Sequence, residues 1–494
     1  MVEFWELVLP LLLGLLILQY LKQLWSSRNY PPGPFQLPII GGIWWMAAGF
    51  SHDILTKLAK QYGNIYTFWL GPQPVVILSG YQAVKEGIID HPDDFNGRPV
   101  SAYIATELKR TVGVLFASGE IWKQHRRFGV VTMRKMGVGR KIMENQIEVE
   151  AKHLVEAFAC TKGQPYNPLL AITNAVSNVI CAVAFGYRYS AEDEEFKGKL
   201  EAMEMMGKYA TSIVALVYEI FPWMMHRLPG PHQKVFHLLK REISFAVGEI
   251  ERHREHQNKH EPQDIIDFYL LQLEKSKDDP SSTYNDDNMS YFLTELFIAG
   301  TETTATSLQW ALLFMVAYPE VQEKVCREME EVLGSSESVS YQDQKNLPFT
   351  NAVIHEILRA RYVLFLAIPR ECVNDVKICG FHIPKGTFVV TDLRSVLLDP
   401  TRWETPEEFN PHHFLDKEGN FVAREEFLPF GAGARVCLGE QLAKMELFLF
   451  FTHLLRTFKF QLPEGVKELR KEPVLGFSLH PHPYKICAIP RNVK

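Results

Sequence analysis

One cysteine near the C-terminal end stands among glycines and small residues, in the segment FGAGARVCLG at residues 430–439. A deprotonated cysteine binds metals strongly through its sulfur. No second cysteine or histidine lies near Cys437 in the sequence, so this segment cannot build a four-ligand zinc site. The cysteine can instead supply one ligand to a metal whose other coordination positions are already filled.

The iron of a haem is such a metal, because the porphyrin leaves only the axial positions to the protein. Glycines allow the backbone to approach a flat macrocycle, and backbone N–H groups can then point at the sulfur. Arg435 can pair with a haem carboxylate. The segment by itself also fits a buried structural cysteine, and that alternative stays open at this point.

The longest predicted helix begins near Asp286 and Asp287 and ends before Pro319. Acidic residues suit the positive end of a helix, and a proline stops one. The middle of this helix contains AGTETT at residues 299–304, where a glycine costs about 1 kcal/mol relative to alanine. Either the helix packs closely against another element there, or it widens into a groove beside a ligand.

Composition allows a large buried core, and strand candidates from distant parts of the chain favour one interwoven body. The 494 residues are 47% hydrophobic, which is enough for a large buried core. The net charge of -6 argues against general nucleic-acid binding. Seven irregularly spaced cysteines without a CxxC motif are typical of a reducing compartment. Helical periodicity dominates, so we predict a mostly α fold with small β-sheets (α+β). The β-rich stretches are residues 65–78, 376–390 and 484–489.

An apolar segment at residues 4–21 precedes this body. As a helix it would span about 27 Å, close to the thickness of a membrane's hydrocarbon core. Lys22 and Arg28 follow it and no basic residue precedes it, which keeps the following chain in the cytosol. We predict a membrane anchor at residues 1–30, a stiff PPGP spacer, and a catalytic domain at residues 31–494.

Several segments, in order along the chain, resemble the motifs of the cytochrome P450 family. FGAGARVCLG meets every fixed position of the family's haem-binding signature, and AGTETT resembles its oxygen-activation motif. Glu356 and Arg359 resemble its E-x-x-R motif. Further matches are FNGRP at 95–99, WKQHR at 122–126 and NPHHF at 410–414, so the resemblance covers nearly the whole chain. It is strongest to the microsomal, vertebrate family 2 enzymes.

The resemblance implies a cytochrome P450 fold preceded by one N-terminal transmembrane helix, with haem b (iron protoporphyrin IX) as the cofactor. It makes Cys437 the axial ligand of the iron. Glu302 and Thr303 would be the acid and the alcohol that deliver protons during the reaction. The positions that match those holding the haem propionates are Arg98, Trp122, Arg126, Arg370 and Arg435.

Two positions depart from the usual family pattern. The E-x-x-R pair, Glu356 and Arg359, belongs to a structural network behind the haem whose third member is often arginine. Here that member is His413. Family 2 enzymes usually have proline where Phe365 stands, and this segment leads into a strand beside the haem. The backbone path and the pocket shape near Phe365 therefore cannot be predicted.

The implied reaction is monooxygenation, the insertion of one oxygen atom from O2 into a lipophilic substrate. Xenobiotics, fatty acids and steroids all suit an apolar pocket. Phe221 to Met225 lies between two predicted helices and is expected to dip into the membrane interface or to form a packed loop. The expected pocket positions are Phe116, Ile298, Ala299, Leu364, Ile368 and Phe477.

The electrons must come from another protein, because no nicotinamide or flavin motif is visible. The resemblance implies NADPH–cytochrome P450 reductase, with cytochrome b5 as a second candidate. Lys123, Arg127, Arg134 and Lys135 could attract such an acidic partner. The expected location is the endoplasmic reticulum membrane, with the catalytic domain in the cytosol.

Two other functions compete with this one. A thiolate-haem isomerase would rearrange peroxides without a reductase, but such proteins typically lack the acid and alcohol that Glu302 and Thr303 would provide. A membrane-bound haem sensor or carrier would need no proton delivery. NADPH oxidation that depends on substrate would exclude the sensor.

Overall fold

The computed structural model describes residues 2–42, 44, 52–100, 102, 113–190, 192–256, 261–334, 339–364, 366–476 and 478–491. Phe365 and Phe477 lie outside the described residues, so the expectations about them stay predictions. The fold is mostly helical with small sheets, as predicted.

The α-helices are numbered in chain order. They are α1 (Val2–Ser26), α2 (His52–Tyr62), α3 (Tyr81–Val84), α4 (Gly119–Lys135), α5 (Lys141–Ala159), α6 (Leu169–Phe185), α7 (Glu194–Ala210), α8 (Ile213–Ile220), α9 (Pro222–Met225), α10 (Pro231–His256), α11 (Ile265–Lys275), α12 (Asp286–Ala317), α13 (Pro319–Leu333), α14 (Pro348–Ala360), α15 (Leu393–Leu397) and α16 (Glu440–Thr457).

The strands are short and come from distant parts of the chain. They are β1 (Ile65–Leu70), β2 (Gln73–Ser79), β3 (Arg370–Glu371), β4 (Val376–Ile378), β5 (Phe381–Ile383), β6 (Phe388–Asp392), β7 (Phe458–Gln461), β8 (Pro473–Leu475), β9 (Leu479–Pro481) and β10 (Cys487–Pro490).

Helix α12 crosses the body without a break for 32 residues, and its start and end confirm the prediction. The Asn285 side chain caps its first turn, and Pro319 opens the next helix. Gly300 lies where α6 comes closest, because a Cβ at this position would stand 2.5 Å from Cδ1 of Ile180. Close packing against α6 therefore accounts for this glycine.

The largest sheet has the strand order β1-β2-β6-β3. The predicted hairpin of β1 and β2 is confirmed as an antiparallel pair, and β6 joins β2 in parallel. β3 pairs with the other edge of β6, which places Arg370 opposite Val389. The short strand β9 is fastened to α12, because the indole nitrogen of Trp310 donates to the carbonyl of Leu479 at 2.7 Å.

The N-terminal segment forms the helix α1. Among the described residues, no helix meets the length and apolarity that a membrane crossing requires. The transmembrane helix predicted within residues 1–30 is therefore not confirmed.

A buried network joins α14 to the segment that follows α15. Arg359 donates twice to the Glu356 carboxylate, at 2.7 Å each, and both side chains are fully buried. His413 Nδ1 lies 3.1 Å from Glu356 Oε2. The remaining Arg359 donors bind the carbonyls of Leu397, Pro406 and Glu408. One buried ion pair thus fixes two separate stretches of backbone, the end of α15 and residues 406–408.

We expect Glu356→Gln to destabilise the protein by about 3–5 kcal/mol, because it leaves a fully buried guanidinium without its counterion. Glu120→Gln is the matched control, since Glu120 and its partner Lys123 are both exposed. That change should cost at most about 1 kcal/mol. Denaturant unfolding, monitored by tryptophan fluorescence, measures the change in the free energy of unfolding for both variants. Equal changes would contradict the role given to the buried pair.

Candidate active site

The cysteine segment is a tight loop that ends at the start of α16. Gly431 and Gly433 have φ of 74° and 67°, a region that side chains other than glycine rarely adopt. A Cβ on Gly433 would also overlap the carbonyl oxygen of Ile88. The loop closes with a hydrogen bond from the Cys437 N–H to the Phe430 carbonyl at 3.0 Å. Cys437 therefore sits two residues before the helix N-cap, Gly439.

Cys437 is accessible to solvent although protein atoms surround it, so it lies in a concave position. Burial raises the pKa of its thiol. The backbone N–H groups of Gly439 and Glu440 and the charge of Arg126 act in the opposite direction. These donors stabilise negative charge on the sulfur, as the positive end of a helix does. The loop thus offers one accessible sulfur that is prepared to act as a thiolate ligand.

Four guanidinium groups gather beside this loop, although they come from four separate parts of the chain. Burial lowers the pKa of each of Arg98, Arg370 and Arg435, and repulsion from neighbouring guanidinium groups adds to the effect. Arg126, from α4, is half-buried and contributes to this repulsion at all three. Because arginine stays protonated, the site carries a concentrated positive charge.

Neutral backbone carbonyls accept most of the hydrogen bonds from these arginines. Arg98 donates to Leu115, Ile368 and Pro369, and Arg435 donates to Asn96, Val114 and Ala117. Within the described part of the chain, no carboxylate forms a salt bridge with any of the four. The one carboxylate whose charge acts on Arg98 and Arg435 belongs to Glu295, which accepts from the N–H groups of Val114 and Leu115.

The residues fit a haem. Nη1 of Arg370 is buried and has no hydrogen-bond partner, while its Nη2 donates to the Ala432 carbonyl at 2.6 Å. A buried donor of this kind costs free energy unless an acceptor meets it. Trp122 is buried with its ring 4.0 Å from the Arg435 guanidinium. A planar ligand with two carboxylates and a thiolate-binding metal would satisfy this donor and offset the positive charge.

The middle of α12 contributes the predicted acid and alcohol. The Thr303 hydroxyl donates to the Ala299 carbonyl at 2.8 Å, so the two residues share a face one turn apart. Ala299 is exposed and Thr303 is half-buried. Glu302 is not a solvated surface residue, because it accepts from the Ser478 hydroxyl at 2.8 Å and lies 2.7 Å from His480 Nε2.

The sequence did not single out Ser478, His480 or Glu295. Ser478 is 176 residues from Glu302 in the chain, so no local spacing could reveal their contact. Glu295 lies one turn before Ala299 on the predicted helix, and the spacing of four could have marked it as facing the same side.

The expected pocket positions occupy several elements around this site. Ile298 and Ala299 lie on α12, and Ile298 also lines an internal cavity of about 20 Å³ with Met203 and Phe297. Phe116 precedes α4 and is 38% exposed. Leu364 and Ile368 are half-buried on the segment before β3, and Phe477 lies outside the described residues.

Comparison with known proteins agrees with the fold and the site. The cytochrome P450 family model matches residues 31–488. The chain is 40% identical to human cytochrome P450 2J2 over 99% of its own length and 97% of the relative's. It is 38% identical to cytochrome P450 2D28 of Mesocricetus auratus over 99% of its length and 98% of the relative's. The chain belongs to the cytochrome P450 family.

This membership settles the reaction class and the cofactor. The protein is a haem-thiolate monooxygenase that acts on xenobiotics, fatty acids or steroids, and it uses haem. The relatives are all family 2 enzymes, as the sequence motifs predicted. The peroxide isomerase and the haem sensor are therefore set aside.

Cys437→Ser tests the position of the iron ligand. Serine keeps the size of the side chain and removes the thiolate, so the reduced carbon monoxide complex should lose the absorption band characteristic of a thiolate-ligated haem. Cys379→Ser is the matched control, because Cys379 is also exposed but lies outside this loop. The spectrum of each purified protein is the measurement, and an intact band in Cys437→Ser would contradict the assignment.

Proposed function

We propose that Cys437 binds the haem iron and that the gathered arginines and Trp122 hold the propionates. The observation that carries this proposal is the unpartnered Nη1 of Arg370 within a cluster of buried positive charge, beside the cysteine loop. The bound haem supplies the centre that binds and activates O2, and its thiolate ligand favours cleavage of the O–O bond. The arginines orient the macrocycle through fixed guanidinium groups.

Glu302 and Thr303 deliver the protons that the reaction consumes. The Thr303 hydroxyl donates to the Ala299 carbonyl, so its oxygen can still accept a hydrogen bond on the exposed side of α12. The neighbouring residue Glu302 carries a carboxyl group that can pass a proton to Thr303 through water. Glu356, Arg359 and His413 serve the fold behind the site and do not take part in the chemistry.

The substrate is lipophilic. The pocket positions on α12 and on the segment before β3 are apolar, and Phe116 presents an aromatic ring that is 38% exposed. Apolar lining favours substrates that lose water on binding.

The electron donor docks on the outer face of α4. Lys123, Arg127, Arg134 and Lys135 are exposed on this helix, whereas Trp122 points inward to the arginine cluster. One helix thus connects a basic surface with the cofactor site. NADPH–cytochrome P450 reductase fits this surface as an acidic partner, and cytochrome b5 would use the same face.

The enzyme works at the endoplasmic reticulum membrane with its catalytic domain in the cytosol. Leu11, Leu13 and Leu18 of α1 are each more than half exposed, as expected for side chains that contact lipid. Trp223 on α9 is 67% exposed, which supports the expected contact of Phe221 to Met225 with the membrane interface.

Reconstitution tests the activity directly. The full-length protein, mixed with reductase, NADPH and a panel of xenobiotics, fatty acids and steroids, should consume NADPH in a substrate-dependent way. The product should carry one atom from isotopically labelled O2. Cys437→Ser provides the control, because it should form no product. Product formation without NADPH, or without oxygen from O2, would contradict monooxygenation.

Thr303→Ala tests proton delivery. Alanine keeps the helix and removes the hydroxyl together with the γ-methyl group, so haem binding and the carbon monoxide spectrum should survive. Product per NADPH should fall about 10-fold, while released hydrogen peroxide rises. A 10-fold change equals ~1.4 kcal/mol in the difference between the barriers to product formation and to peroxide release.

Thr303→Ser keeps the hydroxyl and should keep most of the coupling between NADPH and product. Product, peroxide and NADPH are measured together in all three proteins. If Thr303→Ala is as well coupled as the wild type, the threonine only packs the helix and protons travel another way.

A further inference from the structure

A ring of hydrogen bonds joins α12 to β9 around Glu302. Ser478 donates to Glu302 Oε1, and His480 Nε2 lies 2.7 Å from the same oxygen. Thr306, one turn after Glu302, lies 3.0 Å from the Ser478 hydroxyl and 3.1 Å from His480 Nδ1. Both nitrogens of His480 are therefore engaged, one with the carboxylate and one with the threonine.

The backbone holds this ring in place from both sides. The Leu479 carbonyl accepts from Trp310 of α12 at 2.7 Å, and the Leu479 N–H donates to the Val363 carbonyl at 2.8 Å. Gly476 leaves room for the imidazole, because a Cβ there would stand 3.1 Å from His480 Cδ2. The ring of His480 is thus positioned by the fold rather than by its contact with Glu302 alone.

His480 also connects the carboxylate with water. Its side chain is 31% exposed, whereas Glu302 is 14% exposed. An imidazole can release a proton from one nitrogen while the other stays hydrogen-bonded, which makes histidine suited to relaying protons. Accessibility to solvent therefore decreases from His480 to Glu302, and Thr303 is the next residue in the chain.

We propose that His480 resupplies Glu302 with protons during turnover, with Ser478 and Thr306 holding its ring. This inference rests on the proposed role of Glu302 and Thr303 and extends it outward to solvent. His480 is in direct contact with Glu302 and is proposed to act through that carboxylate.

Each transfer from His480 to Glu302 moves one proton and changes no oxidation state. His480 with hydrogen on both nitrogens gives its Nε2 proton to the Glu302 carboxylate, and the N–H bond breaks as the O–H bond forms. The ring is left neutral with its Nδ1–H donated to Thr306. A hydronium ion from solvent then returns a proton to Nε2 and is left as water, and Glu302 passes its own proton on toward Thr303.

His480→Gln is the decisive variant, because glutamine can still donate to Glu302 but cannot relay protons. We expect product per NADPH to fall about 10-fold, with a matching rise in hydrogen peroxide and an unchanged carbon monoxide spectrum. His482→Gln is the matched control, since His482 lies two residues further on and lines a different, surface groove. That control should remain as coupled as the wild type.

Two further measurements separate relay from packing. With hydrogen peroxide as the oxidant in place of NADPH and O2, the oxidant brings its own protons, so His480→Gln should form product as fast as the wild type. The double variant Glu302→Gln with His480→Gln should be no worse than Glu302→Gln alone, because His480 acts through that carboxylate. The proposal would be overturned if the coupling losses of the two single variants add in the double variant. It would also be overturned if His480→Gln reacts more slowly than the wild type with hydrogen peroxide.

Nitrogen-15 spectra of histidine-labelled protein give a readout independent of activity. The His480 signal, assigned by its disappearance in His480→Gln, should show hydrogen on Nε2 with slow exchange. In Glu302→Ala this hydrogen should exchange faster, because its acceptor is gone. Fast exchange of the Nε2 hydrogen in the wild type would contradict the contact between His480 and Glu302 on which the relay depends.

The outcomes also distinguish this inference from the proposed function. If Glu302→Gln and Thr303→Ala both stay coupled, the proton-delivery role of α12 fails and the relay fails with it. If Glu302→Gln is uncoupled while His480→Gln is not, only the relay is wrong and Glu302 draws its protons directly from water.

Discussion

Repulsion between buried arginines is the constraint on which the site depends. Arg98, Arg370 and Arg435 lose most of their hydration on folding, and their donors meet mainly neutral carbonyls. Such an arrangement costs free energy unless an anion offsets it. Glu295 offsets part of the charge, and the two carboxylates of a haem would offset more. A haem held by these arginines would therefore stabilise the fold, because folding alone leaves these charges unbalanced.

Helix α12 provides the common frame for the chemistry. Gly300 lets α6 lie against one side of the helix, while Thr303 and Glu302, the proposed proton-delivering residues, lie on others. Trp310 fastens β9 to the same helix. A long helix that is packed on most sides changes shape little during turnover, so the distances among its side chains persist.

In the proposed function, protons and electrons arrive through different elements. The basic face of α4 lies behind the arginine cluster, whereas His480 of β9 contacts Glu302 of α12. A reductase bound on α4 would then leave the proposed proton path uncovered.

The sequence by itself determined the ligand loop, the limits of α12 and the β1–β2 hairpin, because these features depend on neighbouring residues. Cys437 lies in one short run with its glycines, and Asp286, Asp287 and Pro319 are local start and stop signals. The third β-rich stretch was predicted at residues 484–489 and is only roughly placed, since β10 covers Cys487–Pro490. Family motifs indicated the arginines, but only the tertiary structure showed their shared unbalanced charge. Only the tertiary structure brought His480 to Glu302, because contacts between distant residues are decided by packing and leave no periodicity in the sequence.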